Sequence, residues 1–88
     1  MKTVYILGQE IADRAALHAA LAQQLTFPDY YGENLDSLYD VLCTQAEPCC
    51  IMIQNREALQ VHLGEYCRRF LRVLLDASLE NSNISITL

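Results

Sequence analysis

The chain has 88 residues, a net charge of −5 and a sequence pI of about 4.7, so it lacks the basic surface that nucleic acid or an anionic membrane requires. With 52% hydrophobic residues, only 3 Gly and only 2 Pro, disorder is excluded. The length suits a single domain, residues 1–88, with one modest core.

The run Thr3-Val4-Tyr5-Ile6-Leu7, β-branched and aromatic and closed by Gly8, predicts a first strand. This apolar start is too short for a signal peptide, and no stretch approaches membrane-spanning length; a cytoplasmic protein is expected. Asp13 is placed to cap a helix running to about Leu25, with Leu17, Leu21 and Leu25 stacked a turn apart. His18 falls beside that stripe with no acid or cysteine at ligand spacing, and reads as a helix-surface histidine. Thr26-Phe27-Pro28 closes the helix.

Pro28-Asp29-Tyr30-Tyr31-Gly32-Glu33 then forms a loop, and Asn34 is a good N-cap for a second helix. Leu35, Leu38 and Leu42 mark its core side, and Pro48 predicts its end near Ala46 to Pro48. Asp36 and Asp40 lie one turn apart, away from that side. Like charges so spaced cost an isolated helix about 0.2–0.5 kcal/mol. The helix dipole offsets part of this for Asp36 but little for Asp40. Glu33 adds a third carboxylate, and no Lys or Arg occurs between Ala15 and Asn55. Local stability therefore does not account for Asp40. Two readings follow: a solvated acidic face, or a carboxylate patch flanked by Tyr30, Tyr31 and Tyr39 that takes a cationic partner.

Cys49-Cys50-Ile51-Met52-Ile53 is a continuous apolar run, the pattern of a strand covered on both faces. Arg56 to Leu63 predicts a short helix, interrupted by Gly64 and followed by a longer one from about Glu65 to Glu80. Tyr66, Phe70, Val73, Leu74 and Ala77 give the longer helix its apolar side. On the other side Glu65 with Arg69, and Arg72 with Asp76, are spaced as i,i+4 ion pairs. Asn81-Ser82-Asn83 is a turn, and Ile84-Ser85-Ile86-Thr87-Leu88 alternates as a last strand with one buried face. Strands separated by helices, without a hairpin signal, imply parallel pairing. The predicted fold class is α/β: a three-stranded parallel sheet packed with about four helices.

Cys43, Cys49, Cys50 and Cys67 show no C-x-x-C spacing, and His18 and His62 complete no zinc pattern; buried free thiols and no metal are expected. A glycine-rich phosphate loop, a G-x-S-x-G elbow and an H-E-x-x-H pair are all absent. Glu33, Asp36, Asp40, Asp76 and Glu80 could serve acid–base chemistry or hold a divalent cation. With no base, metal motif or room for a deep pocket beside them, they read as a binding surface, and neither catalysis nor a cofactor is expected.

From Leu25 to Leu42 the chain closely resembles the barstar family, small intracellular inhibitors of barnase-type bacterial ribonucleases. The pattern Pro28-x-Tyr30-Tyr31-Gly32-x-Asn34-Leu35-Asp36-x-Leu38-Tyr39-Asp40 carries the resemblance, which extends to Leu17-His18, the late acids and the closing Ile-Ser-Ile-Thr-Leu. The fold implied is a three-stranded parallel sheet with helices against it. The implied partner is a basic ribonuclease bound one to one by a protein that is monomeric alone. Carried over residue by residue, the implied partner-binding set is Tyr30, Tyr31, Gly32, Asn34, Leu35, Asp36, Tyr39, Asp40, Asp76 and Glu80.

In that scheme Asp40 enters the nuclease's cationic catalytic pocket where a substrate phosphate would sit, Asp36 pairs with a further cation, and Tyr30 packs on a catalytic histidine. Asn34 and the Gly32 backbone add polar contacts, and Asp76 and Glu80 contribute at the side. This sequence departs from the family pattern at Tyr39, where the prototype has tryptophan, and at Arg72, which can partly neutralise Asp76. An alternative use of the same face is as an acidic adaptor for a basic protein that is not a nuclease.

Overall fold

A computed structural model describes residues 1–88 as three strands and four α-helices. In chain order they are β1 (Lys2–Leu7), α1 (Arg14–Leu25), α2 (Leu35–Cys43), β2 (Cys49–Gln54), α3 (Arg56–Leu63), α4 (Glu65–Glu80) and β3 (Ile84–Thr87). The sheet order is β1-β2-β3 with both pairings parallel, as the alternation of strands and helices requires.

Register explains which side of the sheet is the core. Val4, Ile51 and Ile86 lie side by side across the three strands, and Lys2, Cys49 and Ile84 form a second such row. On this face Val4, Ile6, Cys49, Ile51, Ile53 and Ile84 are buried and join one core with Leu17, Leu21, Leu38, Leu42, Phe70 and Leu74 of the helices. Burying a Leu, Ile or Phe side chain stabilises by about 1.5–3 kcal/mol, so these residues hold the helices to the sheet. The opposite face carries Tyr5, Cys50 and Met52, of which Tyr5 is 48% exposed and the others half-buried. The apolar run in β2 is therefore covered fully on one side only; the expectation of two covered faces does not hold.

The free edge of β1 is not left open. The Tyr5 N–H donates to Gln24 Oε1 and Gln24 Nε2 donates to the Tyr5 carbonyl, both at 2.9 Å, so one side-chain amide from α1 occupies both edge groups. After β1 the chain makes a single 3-10 turn at Gly8–Glu10, which sequence periodicity did not reveal. Gly8 is required there: a Cβ would meet the Asn55 carbonyl oxygen at 2.1 Å and the Leu59 nitrogen at 2.8 Å, both backbone atoms of the α3 start.

The helix caps agree with the sequence. Asp13 accepts from the Ala16 N–H at the start of α1, and Asn34 accepts from the Ser37 N–H at the start of α2. At the other end α2 stops at Cys43, three to five residues short of the expected Ala46–Pro48. The Thr44 and Gln45 N–H groups turn back three residues to the Val41 and Leu42 carbonyls, which closes the helix before the proline, and a side chain from the far end of the chain caps the last carbonyls. All four cysteines are free thiols, but only Cys49 and Cys67 are buried as expected, and Cys43 and Cys50 are half-buried; burial raises the pKa of Cys49 and Cys67 and keeps both protonated.

A candidate partner-binding face on the second and fourth helices

The face is built on the packing of α2 against α4. Leu35, Leu38, Val41 and Leu42 turn one side of α2 into the protein, which leaves Asp36 and Asp40 on the exposed side. Tyr39, between them in sequence, is half-buried against the core, and the Glu80 and Asp76 carboxylates of α4 both act on its hydroxyl. The Tyr39 pKa is raised, first by its interaction with the Cys43 thiol, then by burial and by these two acids. Asp36 and Asp40 on α2 and Asp76 and Glu80 on α4 thus sit on two helices packed against each other, the α4 pair near Tyr39. Asp36, Asp40, Glu33 and Glu80 enter no ion pair; Asp76 pairs with Arg72 at 3.3 Å.

The relative height of the two helices is fixed at their C-terminal ends. Asn81 Nδ2 donates to the carbonyls of Leu42 at 2.9 Å, Cys43 at 3.3 Å and Gln45 at 3.0 Å, and Asn83 Nδ2 adds a bond to Gln45 at 3.0 Å. Four helix carbonyls at a C-terminus lack intrahelical partners, and Asn81 supplies partners across the helix pair. In the sequence Asn81 signals no more than a turn, because its acceptors lie 36 to 39 residues away.

The loop leading into α2 is tied down from both sides. Tyr30 is 83% exposed, whereas Tyr31 points inward, stacks at a tilt on Phe27 with centroids 4.7 Å apart, and hydrogen-bonds His18 Nδ1. His18 Nε2 meets the Tyr66 hydroxyl of α4 at 2.7 Å, and the Arg14 guanidinium lies 4.3 Å over the Tyr66 ring. His18 is 1% exposed, not a surface residue: its place beside the leucine stripe of α1 was the signal, and the missing partners were two tyrosines distant in sequence. A neutral imidazole donates from one nitrogen and accepts at the other, so it bridges two hydroxyls with no polar atom left over. Burial lowers the His18 pKa, partly offset by Glu33. Burial raises that of Tyr31, with Tyr66 and Glu33 adding to the effect.

Gly32 and Asn34 spend their polar groups inside the loop. The Gly32 N–H donates to Ser37 Oγ at 2.8 Å, and Asn34 Nδ2 donates to the Gly32 carbonyl at 3.2 Å while its Oδ1 caps α2. Leu35 is buried, with its remaining surface lining the grooves beside α2. The structure therefore sorts the expected set. Tyr30, Asp36, Asp40 and Glu80 are exposed and unpaired, and Tyr39 and Asp76 are half-buried beside them. Tyr31, Gly32, Asn34 and Leu35 hold the loop and the helix start in place.

Arginines from α1 and α4, distant in sequence from the acids of α2, also border the face. A cleft of about 290 Å³ is lined by Arg14, Glu33, Asn34, Leu35, Asp36, Tyr66 and Arg69, so the acids are not isolated from cations as the gap from Ala15 to Asn55 suggested. Glu65 pairs with Arg68 at 2.9 Å and not with Arg69, which leaves Arg69 without an ion pair.

An exposed, mostly unpaired row of carboxylates with aromatic rings beside it can receive Lys and Arg side chains of another molecule through charge-assisted hydrogen bonds. Comparison with known proteins points the same way. Residues 1–88 match the family model described as Barstar (barnase inhibitor). A protein of Bacillus subtilis (strain 168) named "Putative ribonuclease inhibitor YrdF" is 36% identical over 81 residues, covering 91% of this chain and 89% of that protein. A match along the entire chain, on a parallel three-stranded α/β fold with the motif residues held as described, places this protein in the barstar family.

Proposed function

We propose that this chain is an intracellular inhibitor of a basic, barnase-type ribonuclease. All 88 residues act as one unit, and the chain binds its target one to one with the exposed side of α2, the loop before it and the adjoining acids of α4. The observation that carries this is that Asp36 and Asp40 stand exposed on α2 with no internal cation paired to them, at a position where helix stability gives no reason for two acids.

Asp40, near the middle of the face, enters the cationic pocket of the enzyme and takes the place of a substrate phosphate. Asp36 and Glu80 flank it, and Tyr30 offers a flat ring to the active-site rim. A net charge of −5 steers the encounter with a basic enzyme, so association is fast and salt-sensitive. The chain blocks a reaction and performs none; it requires no metal or cofactor for this.

The test is RNA cleavage by a barnase-type ribonuclease titrated with the purified chain. Activity is expected to fall linearly to zero at one equivalent. Full cleavage with micromolar chain present would contradict the proposal and favour an adaptor for a basic protein of another kind.

A further inference from the structure

Beside the acidic face lies a feature of opposite sign. A groove of about 700 Å³ runs along α4, bordered by Asp36 and the guanidinium-bearing Arg68, Arg69 and Arg72, with Leu75 and Leu88 among its apolar lining. The chain has only 6 Lys and Arg residues, and half of them line this one groove. Its apolar lining is open: Leu75 is 44% and Leu88 54% exposed. Arg68 and Arg72 are held only by exposed ion pairs with neighbours on their own helix, which contribute little to stability, and Arg69 by none.

The groove is continuous with the acidic face, because Leu35 and Asp36 of α2 form its near wall. An interface of ordinary size takes roughly 800 Å² from each partner. That is roughly 15% of the 5246 Å² this chain exposes, and Asp36 itself lines the groove beside the arginines. A ribonuclease seated on Asp36 and Asp40 therefore reaches the arginines as well. Three guanidiniums pressed against a uniformly basic surface would repel it.

We infer that the groove of Arg68, Arg69, Arg72, Leu75 and Leu88 takes a carboxylate-bearing side chain flanked by an apolar one on the rim of the same ribonuclease, and that this contact selects among target enzymes. The inference rests on the ribonuclease-inhibitor function proposed above. The guanidinium fork matches a carboxylate in two parallel hydrogen bonds, and the leucines cover the neighbouring apolar side chain. A basic ribonuclease with a lysine or arginine at that rim position is rejected by the same charges, which is specificity by repulsion.

The test uses the full chain against the barnase-type ribonuclease of the cleavage assay, with affinities measured by calorimetry. Arg69→Glu and Arg56→Glu change the net charge equally, but Arg56 lies on α3 outside the groove. Arg69→Glu is expected to weaken binding at least about tenfold and Arg69→Gln by less, while Arg56→Glu leaves binding unchanged or slightly tighter. Thermal melts of each variant confirm folding, and because Arg69 has no internal ion pair its replacement breaks none.

Unchanged or tighter binding by Arg69→Glu would overturn the inference. So would a wild-type homodimer that Arg69→Glu dissociates, which makes a second copy the occupant, or RNA bound by the chain alone and lost in Arg69→Glu. Failure of the wild type to bind the ribonuclease at all refutes the inhibitor function and this occupant with it. Loss of binding in Asp40→Ala with none in Arg69→Glu refutes the groove alone.

Discussion

Asn81 Nδ2 donates to the Leu42 carbonyl at 2.9 Å, joining the residue just after α4 to the last turn of α2. Asp36 and Asp40 ride on α2 and Asp76 and Glu80 on α4, so this bond ties together the two helices that carry the acids. Asn81→Ala leaves partly buried carbonyls of Leu42 and Gln45 without that donor, at a cost of about 1–3 kcal/mol in unfolding free energy. A urea titration of the two proteins checks this; an unchanged midpoint would mean that Asn83 and solvent satisfy these carbonyls unaided.

The His18 bridge ties stability to pH. Burial places its folded-state pKa below the ordinary 6.5, so near and below that pH the unfolded chain binds more protons than the folded one. The contribution of neutral His18 is complete above pH 6.5 and is lost as pH falls from there through the lower folded-state value. Denaturant midpoints at pH 7.5 and pH 5.5, on the two sides of the ordinary value, are expected to show a drop on acidification that His18→Gln reduces. An equal drop in both proteins would assign the acid sensitivity to other groups.

Most of the architecture could be read from the sequence, for reasons that can be named. Asp13 and Asn34 capped the predicted helices because a cap acts within three residues, and the leucine spacing of α1 and α2 fixed their buried sides. The strands came from local runs, and their parallel order from the helices between them. What escaped depended on distance. His18 looked like a surface residue because Tyr31 and Tyr66 lie 13 and 48 residues away, and the side chain that caps the end of α2 is Asn81, 39 residues beyond Leu42. The acid row was legible from the i,i+4 spacing of Asp36 and Asp40; its arginine border was not, since Arg14 and Arg69 reach it only through the packing of α1 and α4.

Thr26 ends α1 with φ 55° and ψ 56°, a left-handed conformation that a β-branched side chain adopts at a cost. The residue is exposed and its hydroxyl makes no hydrogen bond, so nothing in its surroundings offsets that strain. Thr26→Gly is expected to raise unfolding free energy by about 0.5–1 kcal/mol, the relieved strain outweighing the added freedom of the unfolded chain. Differential scanning calorimetry decides it: a lower melting temperature would show that unfolded-state entropy dominates.

We propose that Asp40 acts through its position and not through bulk charge, as the anion that occupies the enzyme's pocket. Asp29 is also an exposed carboxylate, in the preceding loop, and Asp40→Ala and Asp29→Ala alter the net charge identically. Affinity for a barnase-type ribonuclease, measured for both variants at one ionic strength, tests the claim most directly. Asp40→Ala is predicted to lose at least about 2 kcal/mol, roughly thirtyfold, and Asp29→Ala well under 1 kcal/mol. Equal, small losses for the two variants would contradict it, and would leave the acidic face attracting its partner without entering the active site.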